Sequence, residues 1–348
     1  MRKLLALALI LALALPVMGL AEGTYELALV TDVGNIDDQS FNQYSYQGIK
    51  DFAAETGKTY AYYQPSEDSL DARVETVVSA IEKGAKVVLT PGFLFAEAMG
   101  VAQELYPEVN FILVDTAPAG VAAKNTYSIL YQEEQAGYLA GYAAVKDGYT
   151  KLGFLGGMAV PAVVRYGFGF VQGADAAAKE MSIQVDIKYW YSDVFWPTDD
   201  VKNKMGSWYT EGTEIVFACG GGIYLSLVAA AEEADKMVIG VDVDQSYVSP
   251  RVITSATKAL TEFIKLSLEA IYDNGGVMPE NMQGVTATFG AKDDAVGLPT
   301  APDSWRFAKF TVEEYNALFE QLKNETIVVS PAIDAVPAVT NAVVDYQN

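Results

Sequence analysis

The residues most able to recognise a small molecule are carboxylates, hydroxyls, glycines and one lysine, each following a short apolar run. Thr31-Asp32 leads into Asp37-Asp38-Gln39-Ser40-Phe41-Asn42-Gln43, Asp115 follows Phe111-Ile112-Leu113-Val114, and Cys219-Gly220-Gly221-Gly222 follows Ile215-Val216-Phe217-Ala218. Asp242-Val243-Asp244-Gln245 and Ser255-Ala256-Thr257-Lys258 complete the set. Carboxylates accept paired hydrogen bonds from vicinal hydroxyls, and an aromatic face such as Phe41 stacks on a planar ring. Together they suit a neutral ligand with a ring and several hydroxyls. A phosphorylated ligand would meet Asp32, Asp115 and Asp242 with little arginine to compensate. Each residue also has a structural use. Asp32, Asp37, Asp38 and Asp242 could cap helices, with Asp38 or Ser40 the candidate at the helix that follows, and Phe41 could be core. Lys258 could be a solvated helix residue, and Cys219 reads as a small buried apolar residue. The glycine triplet lacks the spacing of a phosphate-binding loop.

Catalytic chemistry has little to work with. The 348 residues contain no histidine and one cysteine, which excludes Ser-His-Asp and Cys-His machinery, histidine-containing metal sites and an intramolecular disulfide. No catalytic residue, metal site or cofactor is assigned. With 23 basic against 45 acidic residues the net charge is −22, which repels phosphate backbones and excludes nucleic acid as a partner.

The elements that must position these residues alternate. Strand-like runs at residues 26–31, 59–63, 87–90, 111–114, 151–155, 184–189, 215–218 and 237–241 are separated by stretches with apolar residues three and four apart, at 40–54, 70–83, 93–105, 133–145, 160–179 and 225–234. This is parallel α/β structure, and the open ends of such sheets bind ligands beyond the strand carboxyl ends. One sheet of so many strands would be unusually large, so two lobes of about five or six strands each are expected. The assignment is 22–130 plus 256–290 for lobe 1 and 131–255 plus 291–348 for lobe 2. A helix over 260–273 and a strand over 285–289 are expected after a return crossing at 253–258, then an irregular tail from Lys292 with one helix over 312–323.

Residues 1–21 read as a secretory signal peptide: Arg2 and Lys3, an apolar run from Leu4 to Leu15, and small residues Gly19 and Ala21 before Glu22. Cleavage removes two basic residues and no acid, leaving −24 on the mature chain. The protein is expected outside the cytoplasm, periplasmic or associated with the cell surface. No cysteine near the cleavage point offers a lipid-attachment site.

Leu29-Val30-Thr31-Asp32 with Ile36 to Gln43 and Gly48 resembles the opening of the basic membrane protein family, substrate-binding proteins of ABC transporters that include purine-nucleoside receptors. Ile239 to Gln245, Thr254 to Lys258, Gln135 to Gly141 and Gly167 to Gly173 are similar to it as well. The likeness runs to about Phe289. It implies a two-lobed, type I periplasmic-binding-protein fold that closes on a nucleoside, needs no catalytic step, acts as a monomer and delivers its ligand to a permease. On this resemblance Phe41 stacks on the base, and Asp32 and Ser40 meet its polar edge. Asp115, Asp242 and Lys258 hold ribose hydroxyls near the Gly220 and Gly221 backbone, while Trp196, Phe195 or Phe168 forms the second aromatic wall. The alternatives are a sugar receptor and a secreted nucleoside hydrolase, the latter using Asp37 and Asp38 to hold Ca²⁺ or activate water.

Overall fold

The structure, a computed structural model, describes residues 24–347, so the expected signal peptide lies outside the described residues. The chain opens β1 (Leu27–Val30), α1 (Phe41–Thr56), β2 (Tyr60–Tyr63), α2 (Leu70–Glu82), β3 (Val87–Pro91), a 3-10 turn at Phe93–Phe95, α3 (Ala96–Leu105), β4 (Asn110–Val114) and β5 (Thr126–Tyr131). It continues α4 (Glu133–Asp147), β6 (Lys151–Gly156), α5 (Pro161–Met181), β7 (Val185–Tyr191), α6 (Asp199–Thr210), β8 (Ile215–Cys219), α7 (Tyr224–Ala234) and β9 (Met237–Asp242). Then come β10 (Val252–Lys258), α8 (Leu260–Asp273), β11 (Val285–Phe289), β12 (Val296–Gly297), α9 (Val312–Lys323) and β13 (Ala342–Gln347).

Among the described residues these strands form two sheets. One is ordered β11-β5-β4-β3-β1-β2 and is parallel throughout; the other is ordered β12-β10-β9-β8-β6-β7-β13 and is parallel except at β12. The order β2-β1-β3-β4-β5 recurs as β7-β6-β8-β9-β10, so each half has a point where strand order reverses, between β1 and β3 and between β6 and β8. Central strands such as β1, β4 and β8 are buried along their whole length because helices cover both faces. Their sequences are accordingly continuous apolar runs.

Three regions depart from the sequence reading. Residues 253–258, expected as a return crossing, belong to β10 of the second sheet, and the chain crosses only after Lys258. Helix α6 was not anticipated; its buried Val201, Met205, Trp208 and Tyr209 do follow helical spacing, and the Thr198 hydroxyl caps it by accepting from Val201 N–H. The tail is less irregular than its prolines suggest, since β13 pairs in parallel with β7 as an edge strand and β12 pairs with β10.

The chain passes between the sheets at three places that hydrogen bonds tie together. Tyr131 hydroxyl donates to Ala259 O (3.2 Å), Gln132 N–H to Phe289 O (2.8 Å), and Ala291 N–H to Gln135 Oε1 (2.7 Å). Helices α4 and α5 pack so closely that a Cβ on Gly137 would overlap the Tyr166 carbonyl, and one on Gly169 the Glu134 carbonyl. That approach sets Arg165 and Tyr166 of α5 beside Glu133, the first residue of α4.

Candidate functional site

The carboxyl ends of both sheets face one cavity of about 600 Å³ of atom-free space, its open mouth included. Asp32, Phe41, Asn42 and Asp115 line it from the first sheet; Tyr166, Phe195, Gly220, Gly221 and Asp242 line it from the second, with Lys258 at the end of β10. The strand-order reversals of both sheets open onto this space, where ligands of parallel α/β sheets bind.

Lys258 organises the inner end. Its ammonium is buried, pairs with Asp115 Oδ2, and lies 3.6 Å from Asp242 Oδ1 and 3.8 Å from Glu133 Oε1. Rings of Phe41 (4.6 Å to the centroid), Tyr166 (5.5 Å) and Tyr131 (5.7 Å) surround it. Burial by itself would lower the lysine pKa, but the attraction of Asp115, Asp242 and Glu133 outweighs it and holds the ammonium above the usual lysine range. Burial raises the Asp242 carboxyl, only partly offset by Lys258 and Ser40. Glu133 is raised by burial and by Asp115, against the opposing pull of Arg165, whose Nε donates to Glu133 Oε2 at 2.6 Å, and of Lys258.

Asp115 and Asp242 occupy equivalent places in the two halves, at the ends of β4 and β9. Both have left-handed backbone, φ 62° and 65°, a conformation that aspartate tolerates better than most residues. Asp115 Oδ1 is buried and accepts no hydrogen bond among the described residues. Asp242 Oδ2 accepts from the Ser40 hydroxyl at 2.6 Å, a bond that joins the two halves across the cavity rim. Gln39 adds two more such links: its Oε1 accepts from Tyr224 hydroxyl and its carbonyl from Gln245 Nε2, each at 3.2 Å.

At the start of α1 the bonding is local. Asp38 accepts from the backbone N–H groups of Ser40 (2.9 Å), Asn42 (3.0 Å) and Gln43 (3.1 Å), so Asp38 caps the helix and Ser40, whose hydroxyl points elsewhere, does not. Burial nevertheless pushes the Asp38 carboxyl up to about 6, the three N–H bonds offsetting only part. Asp32 Oδ1 accepts from Gly34 N–H (2.7 Å) and Asn42 Nδ2 (2.9 Å), and burial raises its carboxyl too.

Of the residues singled out from sequence, Asp32, Phe41, Asp115, Gly220, Gly221, Asp242 and Lys258 are brought together around the cavity. Ser40 stands behind it, bonded to Asp242. Trp196 faces a neighbouring cavity, 40% exposed. Among the other aromatic candidates Phe195 lines the cavity, whereas Phe168 is buried against Tyr189. Gly220 (φ 151°) and Gly221 (φ 50°) adopt backbone that glycine favours, and a Cβ on Gly220 would press on Gly157. Cys219 lines the cavity, but burial holds its thiol well above the usual range, so it is not a ready nucleophile. Sequence reasoning gave Asn42 no role of its own and missed Glu133, Arg165 and Tyr166. For Glu133 the available signal was an acid at a helix start, indistinguishable from an ordinary first-turn charge.

Two parallel sheets that present their carboxyl ends to a shared cavity, with three chain crossings at its floor, define a two-lobed solute-binding protein of the type I periplasmic-binding fold. The structure superposes on an ABC transporter solute-binding protein from Aeropyrum pernix with a TM-score of 0.72, over 87% of each chain at 21% identity. A second, from Conexibacter woesei, gives a TM-score of 0.69 over 88% of this chain and 99% of that one at 19% identity. Residues 25–331 match the family Bmp, described as ABC transporter substrate-binding protein PnrA-like, and the chain belongs to that family. The chain is 33% identical over 233 residues to the ABC transporter nucleoside-binding protein BmpA of Lactococcus lactis subsp. cremoris, a match spanning 63% of this chain and 64% of that protein. It is 28% identical over 317 residues to basic membrane protein A of Borreliella afzelii, across 89% of this chain and 93% of that one. The family's role is substrate binding rather than catalysis. Among the described residues no helix is long and apolar enough to cross a membrane.

Proposed function

We propose that this chain captures a nucleoside, of purine type, between two lobes and delivers it to the permease of an ABC importer outside the cytoplasmic membrane, working as a monomer. The lobes are taken as 22–131 plus 259–290, and 132–258 plus 291–348, bounds that keep β5 whole in the first and β10, a strand of the second sheet, whole in the second. The observation that carries the reading is the polarity of one cavity: an aromatic ring, Phe41, beside a buried Lys258 with Asp115 and Asp242 around it. Phe41 stacks on the base, with Phe195 across the cavity, and Asp32 with Asn42 meets the base edge. Asp115, Asp242 and Lys258 take the ribose hydroxyls. Ser40 acts on the ligand through Asp242, and the backbone of Gly220 and Gly221 closes the wall. The nucleoside-binding name of the Lactococcus relative supports the same ligand class.

A hydrolytic role is disfavoured because Asp38 spends both carboxylate oxygens on N–H donors of α1, which leaves it poorly placed to ligate Ca²⁺ or activate water. Calorimetry against adenosine, guanosine, inosine, cytidine, uridine and ribose is the test. Heat from at least one purine nucleoside and far less from ribose is expected. Equal binding of ribose and every nucleoside would make the protein a sugar receptor, and release of free base would make it a hydrolase.

A further inference from the structure

The cavity described above continues outward. A second cavity of about 700 Å³ of atom-free space, open to solvent, adjoins it. Three chain segments line the two in succession. Asp32 faces both and Val33 the outer; Val160 faces the inner and Met158 the outer; Phe195 faces the inner and Trp196 the outer. The far wall of the outer cavity is the loop of residues 64–68 after β2, together with Arg73.

The chemistry changes along this path. At the junction Asp32 is 7% exposed; its Oδ1 is held by Gly34 and Asn42, while Oδ2 accepts no hydrogen bond among the described residues. Oδ2 lies toward Gly92, on the inner cavity wall, where a Cβ would stand 3.1 Å from it. Further out are the carboxylates of Glu67 and Asp68, with Arg73 paired to Asp68, and the exposed indole of Trp196 lines the same cavity. Asp68 and Arg73 offset each other, which leaves the Glu67 carboxylate, the Asp32 carboxyl at the junction and the indole; such a lining favours an ammonium group, which an aromatic face and a carboxylate both attract.

We propose that this outer cavity is a second subsite, receiving an amine-bearing substituent carried on the base of the bound nucleoside. The inference rests on the nucleoside reading, in which the ribose sits at the Lys258 end and the base edge at Asp32. The Lys258 end is closed by buried Glu133 and Tyr131, whereas the Asp32 end opens into the outer cavity. The base is therefore the part of the ligand that has room to grow, and an anionic extension meets repulsion there.

The test is calorimetry on residues 22–348 with adenosine, guanosine, and each of them bearing a 2-aminoethyl or a 2-carboxyethyl group on the exocyclic nitrogen. For whichever parent binds, the aminoethyl derivative should bind at least as tightly and the carboxyethyl derivative about tenfold more weakly. Trp196→Ala should cut the ratio of aminoethyl to parent affinity by about fivefold, the scale of one partly exposed cation-aromatic contact. A parent that binds while its aminoethyl derivative is about tenfold weaker overturns the inference alone, as does an unchanged ratio in Trp196→Ala. Failure of both parents and all derivatives to bind retires the nucleoside reading, and the second subsite with it.

Discussion

Two groups of buried carboxylates border the same cavity and are held in opposite ways. Asp115, Asp242 and Glu133 come from the first sheet, the second sheet and a crossing between them, and they converge on one ammonium, Lys258. Asp32 and Asp38 lie in one loop, make no ion pair among the described residues, and are held by N–H donors within eleven positions of each other in sequence. The loop can hold its shape within one lobe. The Lys258 group exists only when both lobes contribute, and it includes the Asp242 carboxylate that Ser40 reaches across the rim. Ligand hydroxyls inserted at Lys258 would therefore favour the closed arrangement, whereas contacts at Asp32 and Asn42 alone would not discriminate between open and closed.

The comparison breaks most visibly at its one cation. Lys258→Met is apolar and nearly as long but leaves buried Asp115 and Asp242 without their cation, while Glu133 keeps Arg165, and removing one member of a buried ion pair typically costs about 3–5 kcal/mol. Urea denaturation should show that loss, with nucleoside binding abolished; stability close to wild type would mean that Lys258 is not the organiser of these carboxyl groups.

The loop answers to pH instead. Asp38 titrates at about 6 in the folded protein against 3.8 for an ordinary aspartate, so the stability it contributes is present below pH 4 and is lost as pH rises through 6. Asp38→Asn should remove a stability slope of up to about 3 kcal/mol across that window, on top of a uniform cost from the weakened cap. Melting curves of both proteins between pH 4 and 7 check this, and parallel curves would show that the N–H donors keep Asp38 an ordinary carboxylate.

A smaller effect is expected from Asp242→Asn. Asparagine tolerates the left-handed backbone at this position, so the change removes charge while keeping the shape. Affinity for the nucleoside should fall by about 2 kcal/mol, the scale of a hydrogen bond to a charged partner, with a modest change in melting temperature. Unaltered affinity beside a lower melting temperature would reassign Asp242 to lobe contact rather than ligand recognition.

The same contrast explains what the sequence revealed. The strands were legible because both faces of each central strand are covered, which writes them as short apolar runs, and the residues after those runs necessarily fall at the sheet ends. Asp32, Asp115, Gly220 and Asp242 were found that way. Local capping was legible too, although not which of Asp38 and Ser40 performs it, since that depends on Asp242, 202 residues away, accepting the serine hydroxyl. Glu133, Arg165 and Tyr166 escaped because their burial follows from the close packing of α4 and α5, and a buried charge is recognisable only beside its partner. Trp196 was, on the family resemblance, one of three candidates for the second aromatic wall, but the chain direction after β7 turns Phe195 inward and Trp196 toward the outer cavity.

The central claim is that a nucleoside is gripped from both lobes at once. Small-angle scattering of residues 22–348, recorded without ligand and with a saturating nucleoside identified by calorimetry, tests it most directly. The account predicts a smaller radius of gyration with ligand, and loss of that compaction in Phe41→Ala under conditions where wild type is saturated. Tight calorimetric binding with superimposable scattering profiles would contradict it, placing the ligand in a pocket already formed within one arrangement of the lobes.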